Sequence, residues 1–210
     1  MKKALWAILL VCVVAFPFSA WATVIVKFTG ATGPLDHGEY IDPYGGTING
    51  NVATLWCVDM NHTISSGQWW NANVTDVTAV AAGDNTYLHD KIRYEKMIWL
   101  IMGAGGNYNA QTQDNRAAMQ WIIWDLSQSN LGGHLSYHPT EYAYWVTQLN
   151  TNAWQTANYT GWEILTPTPE GPQEFAWYDS SHHVTPEPTT ILLLGAGLIG
   201  IGIWRRSRSK

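Results

Sequence analysis

From Thr23 to Thr29, Val24, Val26 and Phe28 fall on one face and Ile25 and Lys27 on the other, a period of two that predicts a strand closed by Gly30. Gly33, Pro34 and Gly38 then read as loop. Tyr40-Ile41 and Thr47-Ile48 flank Pro43-Tyr44-Gly45-Gly46, whose residue types predict a turn and hence a hairpin. Val52 to Met60 runs through Leu55, Trp56, Cys57 and Val58 and reads as an apolar strand ending at Asp59. Gly67, Gln68, Trp69, Trp70 and the Asn-rich stretch to Asn73 read as loop, while Val74 to Ala82 fits more than one class.

At Leu88 the period changes. Ile92, Met97, Trp99, Leu100 and Ile101 recur at helical spacing and predict a helix from Asp90 to Met102, stopped by Gly103 and Gly105-Gly106. A second helix is predicted from Asp114, as N-cap, to Ser127. Its Ala117, Ala118, Met119, Trp121, Ile122, Ile123, Trp124 and Leu126 are apolar nearly all round, so it is expected to be buried, with Gln120 the polar exception. A third helix, Glu141 to Leu149, follows Pro139. Gly161 to Leu165 and Glu174 to Trp177 read as strands. The expected fold class is α+β: one exported domain with N- and C-terminal strands around a buried central helix, and a single hydrophobic helix at the C-terminus.

The two ends carry addresses. Met1-Lys2-Lys3, the apolar run Ala4 to Ala15 and the small-x-small site Ala20-Trp21-Ala22 form a secretory signal peptide over residues 1–22. At the other end Pro186-Glu187-Pro188 precedes an uncharged stretch from Thr189 to Trp204, which as a helix reaches about 24 Å, enough to enter a bilayer with local thinning. Arg205, Arg206, Arg208 and Lys210 follow as a basic membrane stop and favour a cytoplasmic C-terminus.

Triplet, Gly-rich apolar span and basic end, in that order, resemble the PEP-CTERM sorting signal of Gram-negative bacteria that make extracellular polysaccharide. The resemblance implies that an exosortase, an integral membrane transpeptidase, reads Pro186, Glu187 and Pro188 and removes the tail. It implies export across the inner membrane, a transient anchor there until the tail is cut, and delivery to the cell surface or extracellular matrix. The expected organisation is a signal peptide at 1–22, a body at 23–178, a linker at 179–185 and the sorting signal at 186–210.

Composition narrows what the body does. Five of the 11 Lys and Arg and all 16 acidic residues lie between Thr23 and Pro188, an acidic balance that argues against nucleic acid and anionic lipid as partners. Ten of the 13 tryptophans lie in the body too, serving either packing or flat platforms for sugars; the sugar reading requires Trp69, Trp70, Trp154 or Trp162 to be exposed on one face. Once the signal peptide takes Cys12 away, Cys57 is the only thiol, which leaves a buried small hydrophobe, an intermolecular link or a reactive group.

Leu55-Trp56-Cys57-Val58-Asp59 on a strand, Arg93-Tyr94 with Trp99-Leu100 on a helix, and Met119-Gln120-Trp121-Ile122-Ile123-Trp124 on the buried helix resemble the thioester domains of bacterial surface adhesins. The resemblance spans Val52 to Gln128 and implies an internal thioester between Cys57 and Gln120, open to a surface amine nucleophile. Two positions depart from the family: Trp121-Ile122 replaces a small pair and Met119 replaces a threonine. The plainer alternative is that Cys57 packs and Gln120 satisfies buried backbone groups.

Other constellations are thinner. His62, His89, His134, His138, His182 and His183 have no metal-ligand spacing on a helix, so no metal site is expected, and Cys57 with His62 lacks an evident orienting acid. No calcium loop, phosphate-binding loop, cofactor motif or catalytic set is found in the sequence. The sequence therefore points to a non-enzymatic surface or matrix protein, structural or adhesive, associated with exopolysaccharide or biofilm; a covalent adhesin and a carbohydrate-binding module are the alternatives.

Overall fold

The computed structural model describes residues 23–181, in which helices and strands are mixed. The strands are β1 (Thr23–Gly30), β2 (Leu35–Asp36), β3 (Glu39–Tyr40), β4 (Tyr44–Ile48), β5 (Asn51–Cys57), β6 (Trp69–Asp76), β7 (Trp162–Thr168) and β8 (Phe175–Tyr178). β2 and β3 form a small hairpin, and the other six close into an antiparallel barrel in the order β1-β4-β5-β8-β7-β6. Closure leaves the barrel without a free edge. It was not legible in the sequence, because the pairing of β5 with β8 and of β6 with β7 joins strands separated by the whole helical region.

Two expectations about the strands are corrected. Tyr44, Gly45 and Gly46 lie inside β4, so the hairpin turn is one step on, at Asn49 (φ 50°) and Gly50 (φ 85°), where Ile48 faces Asn51. Left-handed backbone at both turn residues matches the twist of the flanking strands, and Asn-Gly supplies it. Gly46 serves close approach instead: a Cβ there would stand 2.5 Å from Leu55 Cδ1 and 2.8 Å from the Lys27 carbonyl oxygen. Trp69 to Asn73, read as loop, belongs to β6, with Trp70 and Ala72 buried and Trp69 and Asn71 exposed. Its asparagines hid a true period of two.

The helices are α1 (Lys91–Ile101), α2 (Gln113–Ser127) and α3 (Pro139–Asn150). Asp90 caps α1 by accepting from the Arg93 amide. The N-cap of α2 is Thr112, whose hydroxyl accepts from the Asn115 amide; Asp114, the expected cap, sits in the first turn, where a carboxylate suits the helix dipole. α2 packs between α1 and α3, and every residue from Ala117 to Ser127 is buried. On the barrel, β1 buries only alternate residues, whereas Trp162 to Pro167 of β7 are buried on both faces. Among the described residues no helix is long and apolar enough to cross a membrane. The expected signal peptide and the hydrophobic helix from Thr189 to Trp204 lie outside the described residues, as do Pro186, Glu187, Pro188, Arg205, Arg206, Arg208 and Lys210.

Candidate functional site

Cys57 closes β5, faces Phe175 of β8 and is 3% exposed. Gln120 and Trp124 stand one turn apart on α2 and so share a face. That face is turned to Cys57. Gln120 Nε2 donates to the Cys57 carbonyl oxygen at 2.9 Å, and Trp124 Nε1 donates to Cys57 Sγ at 3.4 Å. The thiol itself donates to the Asp59 carbonyl oxygen at 3.1 Å. Burial pushes the Cys57 thiol up to about 12, against the opposing pull of its hydrogen bonds to Asp59 and Trp124. The site thus holds a buried thiol contacted by Trp124, with the Gln120 carboxamide on the main-chain carbonyl of the same residue. Trp121 packs edge-on against Trp124 at 4.8 Å, and Trp56 packs edge-on against Tyr108 at 4.8 Å.

Just past Cys57 the chain supplies an acid that the sequence had not revealed as an orienting group. Asp59 Oδ2 lies 2.6 Å from His62 Nδ1, and Glu170 lies 3.5 Å from the other ring nitrogen. These three residues, with His89, Thr166 and Glu174, line a cleft of about 470 Å³. Glu174 is fully buried, and accepts from the Thr166 hydroxyl at 2.6 Å, the Tyr87 amide at 3.0 Å and the Tyr94 hydroxyl. Burial raises its carboxyl to about 7, with these hydrogen bonds working in the opposite direction.

The sugar-platform alternative loses its geometry. Trp69 is 66% exposed, but Trp70, Trp154 and Trp162 are buried, so the four rings do not form a shared face. A different surface cluster takes shape around Asp36, whose Oδ2 accepts from Trp121 Nε1 at 2.6 Å and lies 3.0 Å from both His37 Nδ1 and His138 Nε2. Burial raises the Asp36 carboxyl, and the hydrogen bonds from Trp121, His37 and His138 outweigh it and hold the group below the ordinary carboxylate range. The histidine spacing gave no hint of this cluster, because it joins Asp36 and His37 to His138, 102 positions beyond Asp36.

Against protein-family descriptions, residues 184–207 match the PEP-CTERM protein-sorting motif. The chain carries a PEP-CTERM sorting motif. It is thereby an exported, exosortase-targeted protein with a membrane-associated C-terminal signal that leads to the cell surface. No curated protein and no solved structure matches the chain. The PEP-CTERM motif covers the address alone, so the chemistry of the body rests on the residues above.

Proposed function

We propose that this PEP-CTERM protein is a structural or adhesive component of the cell surface or extracellular matrix, associated with exopolysaccharide and released into that setting by exosortase cleavage at Pro186-Glu187-Pro188. The observation that carries the reading is the sorting motif at residues 184–207. An acidic body with a closed, edge-free barrel suits a protein that must persist outside the cell without aggregating. The test replaces Pro186, Glu187 and Pro188 with alanine and follows the body by immunoblot. The wild type is expected in the surface and matrix fractions with its tail removed, and the variant uncleaved in the inner membrane. Equal release of both would remove the reading.

One observation bears on a second, narrower reading, a covalent adhesin: the Gln120 carboxamide meets Cys57 in the buried interior, through the Cys57 main-chain carbonyl, which is also the contact that the plainer packing alternative requires. Attack of Cys57 Sγ on Gln120 Cδ forms an S–C bond and breaks the C–N bond, and ammonia leaves with the thiol proton. The Trp124 N–H opposite the sulfur steadies charge that gathers there on the way. A buried thiolate is costly and a thioester is neutral, so burial favours the bonded form over the ionised one. A lysine amine on a partner surface then attacks Cδ, forming an amide and returning the thiol. Intact mass decides: a chain one ammonia lighter than its sequence, restored by Cys57→Ala and converted to an adduct by methylamine, supports the adhesin. The full mass with a free thiol overturns it.

A further inference from the structure

We propose that Asp36, His37 and His138 form a binding site for a divalent cation of the zinc class. One ligating atom from each lies within 4.8 Å of the other two, and the Asp36 oxygen is 3.0 Å from each imidazole nitrogen. Ligands at about 2.0–2.1 Å in tetrahedral array stand about 3.3 Å apart, so the three atoms close around an ion with shifts of a few tenths of an ångström to about an ångström. Two imidazoles and a carboxylate are a borderline donor set, suited to zinc and its neighbours and poorly suited to calcium or magnesium.

The backbone is shaped for this convergence. Adjacent residues in extended chain point to opposite sides. Asp36 ends β2, and His37 follows it into the two-residue turn with φ 50° and Gly38 at φ 92°, its ring nitrogen 3.0 Å from the Asp36 oxygen. As at Asn49-Gly50, left-handed backbone at both residues is what a two-residue hairpin turn requires, and it leaves His37 at the hairpin tip next to Asp36. His138 comes from the other side of the molecule's sequence, 102 positions away. It stands at the N-cap of α3 yet makes no capping hydrogen bond with its side chain, which turns to Asp36 instead.

The groups behind the three are those that hold metal ligands in place. Trp121 Nε1 fixes the Asp36 carboxylate at 2.6 Å, the His37 ring stacks on Tyr137 at 3.8 Å with 6° between planes, and the exposed Asp114 carboxylate lies 3.9 Å from the second His138 nitrogen, too far for a hydrogen bond. Three protein ligands leave a position open to water or to a donor from another molecule. The ion would pin the β2–β3 hairpin to the start of α3, over Trp121, the neighbour of Gln120.

The test uses the untagged, EDTA-treated chain. Titration with zinc chloride by calorimetry is expected to give one equivalent bound, and cobalt chloride is expected to give visible d–d absorption of a tetrahedral site. His37→Ala and His138→Ala are each expected to weaken zinc binding at least about 10-fold and to bleach the cobalt bands. Asp36→Asn, which keeps the side-chain shape, does the same if either histidine variant misfolds. His62→Ala/His89→Ala and His182→Ala/His183→Ala are expected to bind as the wild type does. Absence of stoichiometric binding, unchanged binding in the His37→Ala/His138→Ala double variant, or loss in either control pair would overturn the proposal.

Discussion

Gln120 and Cys57, 63 positions apart in the chain, are joined by a 2.9 Å hydrogen bond from the carboxamide nitrogen to the backbone carbonyl. The bond ties α2, whose buried polar residues are Gln120, Asp125 and Ser127, to the end of β5 in the barrel wall. A buried carboxamide on an apolar helix is costly unless a partner receives it. The Cys57 carbonyl is that partner, and the thiol beside it is held by Trp124 from the next turn.

Gln120→Ala removes the partner and opens a cavity, and is expected to cost about 2–4 kcal/mol. Gln120→Met keeps most of the volume and loses only the hydrogen bond, so it is expected to cost about 1–3 kcal/mol. Urea denaturation of the two variants measures both values. Equal and negligible losses would show that the contact does not support the fold.

Gly46 offers a test of the barrel itself. Gly46→Ala places a methyl 2.5 Å from Leu55 Cδ1 and 2.8 Å from the Lys27 carbonyl oxygen, and one of those is backbone that cannot turn aside. The expected loss is about 1–3 kcal/mol by thermal or urea unfolding. Gly50→Ala meets no such neighbour but must hold φ 85°, so strain rather than clash sets its cost.

The same residues explain what could be read in advance. The three helices were legible, α1 from its apolar periodicity, α2 from a long run apolar nearly all round and α3 from the proline at its start, whereas the caps were not: Asp114 was expected to cap α2 and Thr112 does so. Leu55 to Asp59 and Met119 to Trp124 drew attention to Cys57 and Gln120, and the structure brings the Gln120 side chain to the Cys57 main-chain carbonyl. Barrel closure was not, since strand partners such as Asn71 and Thr168 are chosen by tertiary packing across a hundred positions. Asp36 and His37 were missed for another reason: a two-residue turn carries no periodicity, and the partner His138 lies in a separate loop.

The caps of α2 separate two readings of its start. Thr112→Ala removes the acceptor of the Asn115 amide, and of the Asn115 side chain at 2.9 Å, and is expected to destabilise by about 1 kcal/mol. Asp114→Ala, measured in EDTA, loses an exposed first-turn charge and is expected to cost only about 0.3–1 kcal/mol at low salt, shrinking as salt rises. The reverse order of the two losses would return the cap to Asp114.

Glu174 should make the stability of the body depend on pH in the direction opposite to an ordinary salt-bridged carboxylate. The groups facing it are the Tyr94 hydroxyl from α1, the Tyr87 amide, the Thr166 hydroxyl from β7, and Asp59, whose charge adds to the cost of ionising a second acid nearby. Its folded pKa of about 7 lies above the 4.5 of the free side chain, so between those values the folded chain binds a proton that the unfolded chain has released. Stability contributed by the protonated form is therefore full below pH 4.5, falls as pH rises, and is gone above pH 7. The shift corresponds to an upper limit of about 3 kcal/mol. Glu174→Gln cannot ionise and is expected to flatten this slope while keeping the acceptor for Tyr87 and Thr166. Urea midpoints from pH 4.5 to 8 for the two chains are the measurement; parallel curves would place the titrating group elsewhere.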